Sequence, residues 1–415
     1  MLKRKINEII LYFSKFFLVL FVKLNSPLFS SIILLINLRK VKKIYTSKDV
    51  KKIIILSKSN GYEDILSAYQ KNKTNNVNAF YSLPRILIKK IFYNFLKNEK
   101  CYDYYTIDFD ENIKQKKKDY KLFIKKVFLI LNRFWKFDAI IGFNPFYHAE
   151  HDLPEPIKEI GKKFLSIHKE SLCTVKENAY YLKIYKEQNK KYLANKVAVY
   201  NEYEKNKLVD SNFLNINQVE VTGCARSSNC FEIRNTKPTD NKIVYFMIYD
   251  QKFIKWTNLA NSTMNFLLHY ALNNPSVNII FKGKTGVHSK NNLPKELPSN
   301  CSFELDYDAH KLLKSAKVVI CFNSTILFEA IIANREIIIP NFGINRSKLK
   351  DFIYKTPDYF ADSKEIFFKM IDEKLKKPYV SKKFSKEEEY CINFYLGNAD
   401  GKAGYRLKNF IDKNI

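Results

Sequence analysis

The stretch VVICFNSTILFEAIIANREIIIP, residues 318–340, decides the fold. A run of β-branched residues ends at Cys321, a polar turn follows, and an apolar segment leads into a second β-branched run at 336–340. Short β-branched runs joined by helical segments are typical of βαβ units with a parallel sheet. Because ligands bind beyond the carboxyl ends of parallel strands, the turn after Cys321 is the first place to look for a site.

The same alternation extends in both directions from residue 50 onward. The polar segment 226–241, which contains Pro238, interrupts it and predicts a linker. We therefore expect an α/β protein with two Rossmann-like domains, each built on a parallel sheet. The predicted strands are 53–57, 77–81, 104–107, 138–143, 164–168, 196–200 and 219–222, and then 242–248, 277–282, 302–305, 318–321 and 336–340.

The chain is strongly basic, with 71 lysines and arginines against 42 acidic residues and a net charge of +29 over 415 residues. Lysine is abundant throughout, so the total is a weak indicator, and no nucleic-acid-binding module is evident. We expect no nucleic-acid partner. The run 114–118 (KQKKK) predicts a solvated loop. Seven scattered cysteines without a C-x-x-C pair favour reduced thiols in the cytoplasm.

The amino terminus is apolar and basic. Residues 9–22 and 27–38 are apolar, but Lys15 and Lys23 interrupt them before either reaches the roughly 20 residues of a membrane span. Apolar helices flanked by cations suit an anionic bilayer surface. Residues 1–45 therefore predict a helical segment that lies on the cytoplasmic face of the inner membrane. Packing on the protein's own core and a signal peptide are the alternatives.

The second half carries a candidate phosphate site. Asn323, Ser324 and Thr325 precede an apolar helix, where hydroxyl and amide side chains cap free N–H groups and phosphate is attracted. Glu329 lies one turn on and suits ribose hydroxyls. Lys282 and Lys284 follow the preceding strand in FKGKTG and suit a phosphate, although the spacing is not that of a Walker loop.

The first half carries the candidate acceptor and catalytic groups. Asn60 and Gly61 follow the first strand and would contact substrate. The loop GFNPFYHAEHDLPEP, residues 142–156, holds His148, Glu150 and His151. No zinc motif matches that loop, and we predict neither a metal nor a cofactor.

The next strand ends in His168-Lys169-Glu170. Carboxylates and imidazoles at a strand end can deprotonate a substrate hydroxyl, and a carboxylate can also act as a nucleophile. Glu170 and Glu150 are the carboxylate candidates, and His168 and His151 the imidazole candidates. Lys169 would hold an anionic group of the substrate, and His148 would also contact it.

Three segments carry a family resemblance: FKGK with DYDAHKLLKSAKVVI, the stretch 318–340, and VTGCAR at 221–226. The first two resemble the carboxyl-terminal half of GT-B glycosyltransferases of the bacterial capsule and lipopolysaccharide type, and VTGCAR is similar to the segment that ends the first half of such proteins. The sequence departs from that pattern at Arg335 and Glu336. GNADGKAGYR at 397–406 is similar to the segment that closes such chains.

With the segment 1–45 set apart by its composition, the resemblance implies two Rossmann-like domains whose sheets face each other across a cleft. These are an acceptor domain at 46–228 and a nucleotide-sugar domain at 229–395, followed by a terminal helix at 396–415 that returns to the first domain. It also implies Arg226 as a nucleotide contact and the H-K-E element at 168–170 as part of the acceptor site.

The expected function is transfer of a sugar from a nucleotide-sugar donor to a surface polysaccharide or a lipid-linked glycan. The lysines would suit a CMP-linked acidic sugar such as Kdo as the donor. A CDP-glycerol-type polyol-phosphate transferase and a sugar-nucleotide epimerase are alternatives of the same two-domain type. A non-enzymatic, membrane-associated assembly partner is the alternative from another class.

Overall fold

The computed structural model divides into two compact units. Unit 1 comprises residues 1–171, 176–226 and 402–415, and unit 2 comprises 172–175 and 227–401. The structure describes residues 2–41, 44, 51–57, 59–71, 77–96, 111–168, 179, 182–183, 185–187, 190–249, 256–284, 287–289, 296–305, 308–322, 324–343 and 357–415.

Unit 1 begins with two helices, α1 (Leu2–Lys23) and α2 (Pro27–Asn37). Asn25 at their junction has a φ of 48°, a left-handed conformation that asparagine tolerates. Leu18, Val22 and Leu34 face the core of the unit and are buried. No helix in the described part of the chain is long and apolar enough to cross a membrane.

Within the described residues, the sheet of unit 1 has seven strands in the order β1-β3-β2-β4-β5-β6-β7. Only β1 is antiparallel to its neighbour, β3. The strands are β1 (Arg39–Lys40), β2 (Lys51–Ser57), β3 (Asn78–Pro84), β4 (Ala139–Gly142), β5 (Lys163–His168), β6 (Lys196–Val199) and β7 (Val219–Val221). The remaining helices are α3 (Ser59–Lys71), α4 (Arg85–Leu96), α5 (Glu111–Phe134), α6 (His148–His151), α7 (Pro154–Glu159), α8 (Glu202–Asp210) and, at the carboxyl terminus, α15 (Ala403–Asn414).

Alternate residues of the central strand pack on opposite faces of this sheet, as the period of two requires. Ile54 and Leu56 join the cluster under α1, α2, α4 and α5, whereas Ile53 and Ile55 join the cluster under α3 and α15. Helix α15 is fixed to unit 1 by Asp412, whose Oδ1 accepts hydrogen bonds from Tyr69 and Asn78, at 2.6 Å each. Unit 1 is thus a three-layer α/β domain.

Unit 2 has a sheet of six strands, parallel throughout, in the order β10-β9-β8-β11-β12-β13. The strands are β8 (Lys242–Phe246), β9 (Asn278–Lys282), β10 (Cys301–Glu304), β11 (Val318–Ile320), β12 (Glu336–Pro340) and β13 (Phe360–Ala361). The helices are α9 (Ser228–Ile233), α10 (Thr257–Asn273), α11 (Ala309–Ser315), α12 (Ile326–Ile332), α13 (Lys364–Lys376) and α14 (Lys386–Tyr395). This is the 3-2-1-4-5-6 order of doubly wound folds, whose direction reverses between β8 and β11.

Eleven of the twelve predicted strands are confirmed within a few residues, and 104–107 lies outside the described residues. Two predictions are wrong. The lysine run 114–118 is part of α5 rather than a loop, because it continues an apolar stripe at helical spacing, and Lys117 is buried. The predicted linker 226–241 contains α9, which packs on α11 and α12.

Candidate functional site

The reversal of strand order in unit 2 lies between the ends of β8 and β11, and side chains from three neighbouring strand ends meet there. After β9, the Nζ of Lys284 donates to the Oη of Tyr249, which follows β8, at 2.8 Å. The same ammonium lies 4.4 Å from the centroid of the Tyr249 ring. Lys284 is exposed, so its charge faces solvent at the ligand edge of the sheet.

The loop that carries Lys284 is held by His288. Its Nδ1 accepts from the backbone N–H of Lys284 at 2.9 Å, which places the proton on Nε2, 3.2 Å from the carbonyl of Ile248. Burial lowers the pKa of His288, and the nearby lysines lower it further, so the neutral ring is favoured. The loop after β9 is therefore tied to the end of β8 by a neutral imidazole.

Lys282, the other predicted phosphate ligand, is turned toward the backbone. Its Nζ donates to the carbonyls of Gly283 and Leu305, at 2.7 Å each. Gly283 has no room for a side chain, because a Cβ there would lie 2.9 Å from both Leu305 and Phe303. In this structure Lys282 joins the ends of β9 and β10, and Lys284 is the cation that faces solvent.

On the other side of the reversal, Phe322 follows β11 and packs edge to face with Trp256, their centroids 4.8 Å apart. Ser324 and Thr325 are half-buried, and Ser324 Oγ accepts from the N–H of Ile326 at 3.4 Å. Thr325 makes no side-chain cap on α12, which has only seven residues. Asn323 lies outside the described residues.

Glu329 is not a surface residue, since it is 4% exposed. Its Oε2 lies 3.2 Å from Nε2 of His310, a half-buried residue in the first turn of α11. The Sγ of Cys230 completes a group whose ligand atoms lie within 4.8 Å of one another. Thiolate, imidazole and carboxylate together would suit zinc, but the hydrogen bond alone accounts for the contact between His310 and Glu329. The absence of a metal stays a prediction.

Arg335, where the sequence departs from the glycosyltransferase pattern, has a structural role. It is 4% exposed, and its guanidinium donates to carbonyls of Leu313, at 2.7 Å, and Thr236, at 2.9 Å. It also reaches the carbonyls of Ile233 and Lys314, so it caps the ends of α9 and α11. The departure therefore affects packing behind the sheet rather than the loop after β11.

In unit 1 the strand ends hold buried polar networks instead. Asp64 is completely buried and accepts from Tyr200 Oη at 2.6 Å and from the backbone N–H of Arg226 at 2.9 Å. The guanidinium of Arg226 lies 3.4 Å from Asp64 and 3.0 Å from Tyr200. Arg226 was predicted as a nucleotide contact, but it is 4% exposed and bound within unit 1.

Glu150 is likewise held on all sides. It is fully buried, and it accepts from Arg85 at 2.9 Å and from the backbone N–H groups of Phe143 and Asn144, at 2.7 and 3.1 Å. A Cβ on Gly142 would lie 2.8 Å from its Oε2. A carboxylate in this environment holds the loop after β4 in place.

The neighbouring His151 lies between Tyr192 and Phe213, with ring centroids 5.4 and 5.7 Å away. Burial lowers its pKa to about 4, so the ring is neutral near pH 7. Its Nδ1 lies 2.8 Å from the carbonyl of Pro145 and therefore carries the proton. The basic nitrogen is then Nε2, as a proton acceptor requires.

His168 ends β5 in a third buried network. Its Nε2 lies 3.0 Å from Glu204, and Glu204 accepts from Lys207 at 2.6 Å. Burial alone would raise the pKa of Glu204, but Lys207 and His168 outweigh it and the pKa is lowered. The Nδ1 of His168 is buried and makes no hydrogen bond in the structure. Glu204 was not predicted, because nothing in the sequence links residues 36 positions apart.

The structure gives less information on the remaining predicted site residues. Lys169 and Glu170 lie outside the described residues. Asn60 and Gly61 are in the first turn of α3, directly after β2, and His148 is the first residue of α6. The structure therefore brings Glu150 and His151 together after β4 and sets His168 at the carboxyl end of the neighbouring β5.

No protein-family model matches the sequence, and no curated protein is similar to it. Among solved structures, the chain is similar to UDP-GlcNAc 2-epimerase from Methanocaldococcus jannaschii, with 15% identity, 87% of this chain and 99% of that chain covered, and a TM-score of 0.48.

The chain is also similar to the solved structure of the glycotransferase of kitacinnamycin, with 9% identity and a TM-score of 0.49. That match covers 89% of this chain and 100% of that chain. A third similar structure is a UDP-forming alpha,alpha-trehalose-phosphate synthase from Burkholderia xenovorans, with 9% identity and a TM-score of 0.44. That match covers 88% of this chain and 98% of that chain. At these values the similarities assign no activity to this chain.

Proposed function

We propose that the protein is a GT-B-like glycosyltransferase that moves a sugar from a nucleotide-sugar donor to a surface polysaccharide or a lipid-linked glycan. The observation that carries the proposal is the carboxyl edge of the unit 2 sheet. There an exposed ammonium (Lys284), two aromatic rings (Tyr249 and Trp256) and a hydroxyl (Ser324) flank the reversal of strand order. Cations, ring faces and hydroxyls are what phosphate, base and ribose require.

In this proposal Lys284 binds the phosphate, with Lys282 behind it. Asn323, Ser324 and Thr325 complete the phosphate contacts, and the pair of His310 and Glu329 binds the ribose. A CMP-linked acidic sugar such as Kdo suits the site, because a second ammonium would neutralise its carboxylate.

The catalytic group belongs to unit 1. Glu170 follows His168 by two residues beyond the carboxyl end of β5, and we assign it the carboxylate role in the transfer. His168, oriented by Glu204 at 3.0 Å, is the imidazole candidate. Glu150 is the weaker carboxylate candidate, because three donors already hold it.

The test is turnover with a panel of CMP- and UDP-sugars, with product analysis. A glycosidic product supports the proposal, whereas a phosphodiester or a free epimerised nucleotide would identify one of the two alternative enzymes. Turnover lost in Glu170→Gln with nucleotide affinity unchanged supports the catalytic role. Undiminished turnover in that variant removes Glu170 from catalysis.

We further propose that α1 and α2 lie on the cytoplasmic face of the inner membrane. Helix α1 is apolar on both faces, and an outward apolar stripe stays exposed in unit 1; Phe16, for example, is 66% exposed. The exposed Lys23, Arg39 and Lys40 lie near it and would contact anionic headgroups. The exposed apolar residues of α1 and its carboxyl end are Ile6, Ile9, Tyr12, Phe13, Phe16, Phe17, Leu20 and Leu24.

Vesicle co-sedimentation tests the membrane proposal. Burying one phenylalanine contributes about 1.5–3 kcal/mol, so Phe13→Ser with Phe16→Ser should weaken binding to phosphatidylglycerol vesicles more than tenfold. Phe134→Ser, which changes an equally exposed phenylalanine at the end of α5, is the control. Equal binding by both variants would contradict the proposal.

A further inference from the structure

Unit 1 contains a cavity of about 430 Å³ that the proposed function does not use. Four of its lining lysines come from one face of α5, at the i, i+3, i+4 and i+7 positions 114, 117, 118 and 121. His151, Asp152 and Glu155 line it from the segment after β4, and Lys190 and Lys191 complete it. We call this cavity the lysine pocket.

The lysine pocket lies at the ligand edge of the unit 1 sheet. Helix α5 ends at Phe134 and leads into β4, so its first half, at 1.5 Å per residue, extends toward the carboxyl ends of the strands. His151 ends α6 and Asp152 follows it, in the segment that begins at the carboxyl end of β4. Two independent segments therefore bring the lining together where a parallel sheet binds ligands.

Six lysines and two carboxylates line the pocket, and His151 is neutral near pH 7. The lining therefore has a net charge of +4, and Glu111, which lies outside the lining 2.5 Å from Lys114, offsets one of these charges. The carboxylates are engaged with the lysines: Asp152 lies 3.7 Å from Lys117 and from Lys121, and Glu155 lies 2.6 Å from Lys121. Like charges around one cavity repel each other, and a bound anion offsets that cost.

The lysine content of the chain as a whole does not account for this arrangement. Within the described residues most lysines are exposed or half-buried, whereas Lys117, like Lys207 and Lys317, is only 6% exposed. Lys117 takes a position in the apolar stripe between Ile113 and Tyr120. A buried ammonium is costly unless it is paired, and Asp152 supplies the pair at 3.7 Å. Asp152 thus stabilises the buried ammonium of Lys117 in a cavity whose lining already has more positive than negative charges.

We propose that the lysine pocket binds a diphosphate group. A terminal phosphate carries about 1.5–2 negative charges near pH 7 and the inner phosphate of a diphosphate carries about one more, so a diphosphate group offsets the positive surplus better than any monocarboxylate. Lysine ammonium groups bind phosphate as point charges and need no bidentate geometry. The group comes either from a soluble diphosphate or from a lipid-linked one; only the second source rests on the proposed function.

The probe is inorganic pyrophosphate, titrated calorimetrically into the full chain at low and physiological salt. Lys118→Glu with Lys191→Glu should weaken binding at least tenfold. Lys126→Glu with Lys136→Glu makes the same charge change at exposed positions outside the pocket and should weaken it less than twofold. Circular dichroism and melting temperature establish folding, and Lys118→Gln with Lys191→Gln replaces the first variant if it unfolds.

Two further measurements separate this site from the others. Titration in a Lys284→Ala background removes pyrophosphate binding at the unit 2 edge, so the binding that remains belongs to the lysine pocket and should be lost when Lys118→Glu and Lys191→Glu are added. Galacturonate should bind at least tenfold more weakly than pyrophosphate. A prenyl diphosphate in phosphatidylcholine vesicles binding tenfold tighter than pyrophosphate identifies the lipid source, and equal affinity identifies the soluble one. No pyrophosphate binding, equal loss in both lysine pairs, or equal affinity for galacturonate would overturn the proposal.

Discussion

The two sheets of this protein have related strand orders but use polar residues at their carboxyl edges in opposite ways. In unit 1, Asp64, Glu150 and Glu204 are each buried and bound to a cation or to backbone N–H groups. In unit 2, Lys284 is exposed and His310 is half-buried. The edge of unit 1 is held rigid by internal ion pairs, whereas the edge of unit 2 presents polar atoms to solvent.

A polar residue that follows a strand can therefore have one of two roles: it can be available to bind a ligand, or it can hold a loop in place. Within the described residues, the candidates of unit 2 are the more available for a ligand, and those of unit 1 mostly fix the loops on which other groups stand. The ligand surface of unit 1 is then the lysine pocket, which is formed by α5 and the segment after β4.

The largest effect should come from breaking the most buried network of unit 1. Asp64→Ala leaves the Arg226 guanidinium buried without its counter-ion, which costs about 3–5 kcal/mol of the free energy of unfolding. Urea denaturation of the full chain measures it. Asp210→Ala, an exposed acid in the same unit, should change the value by less than about 0.5 kcal/mol. Equal stability of the two variants would show that the network is not structural.

Acid should weaken unit 1 through His151, whose pKa is about 4 in the folded protein. The unfolded chain takes up this proton below pH 6.5 and the folded chain only near pH 4, so protons favour unfolding. The contribution of His151 is complete above pH 6.5 and is lost between pH 6.5 and 4, at about 1.4 kcal/mol per pH unit.

His151→Asn tests this directly, because asparagine does not titrate and its amide can still donate to Pro145. Its free energy of unfolding should fall less steeply with acid than that of the wild type. The control is His269→Asn at an exposed position in unit 2, which should keep the wild-type slope. Parallel curves for the wild type and His151→Asn would contradict the buried, neutral state of the ring.

A smaller effect is expected from Gly142→Ala. The new methyl group would lie 2.8 Å from Glu150 Oε2 and 3.0 Å from the Phe164 ring, and Arg85 and Phe143 hold the carboxylate in place. Overpacking of this kind costs about 1–3 kcal/mol, measurable as a lower melting temperature. An unchanged melting temperature would mean that the loop after β4 adapts freely, which would weaken the contrast between the two edges.

The smallest effect concerns unit 2. Tyr249→Phe removes the hydroxyl that accepts from Lys284 but keeps the ring, so nucleotide affinity should fall only about two- to fivefold. Trp256 fluorescence in a Trp135→Phe background reports the binding, since the chain has two tryptophans. Tyr405→Phe, an exposed tyrosine in unit 1, should have no effect. A loss beyond twentyfold would mean that the hydroxyl itself binds the ligand.

The sequence predicts the strands well because β-branched runs bounded by polar turns are a local signal. It does not reveal β1 and β13, whose two residues are too short for any periodicity. The lysine run 114–118 was misread because its composition suggests a loop. The apolar stripe through Ile113, Tyr120 and Phe123 marks it as helix α5, with Lys117 on the buried face.

The candidate site is less accessible to sequence reasoning, because burial and pairing depend on distant residues. The sequence predicts that Glu150 is an available carboxylate. The structure shows that Arg85, 65 positions away in the chain, donates a hydrogen bond to it. The sequence likewise predicts Arg226 as a nucleotide ligand, but in the structure its guanidinium lies 3.4 Å from the carboxylate of Asp64. Lys284, a predicted phosphate ligand, is exposed in the structure, because its partner Tyr249 also lies in a loop at the sheet edge.

Calorimetric titration of the full chain with CMP and UDP tests the central claim most directly, which is that the carboxyl edge of the unit 2 sheet binds the nucleotide of a sugar donor. We predict saturable binding of one nucleotide per chain, weakened about tenfold or more by Lys284→Ala. Lys376→Ala, which removes the same charge from an exposed position on α13, should change it less than twofold. No binding of either nucleotide, or equal affinities in the two variants, would contradict the account.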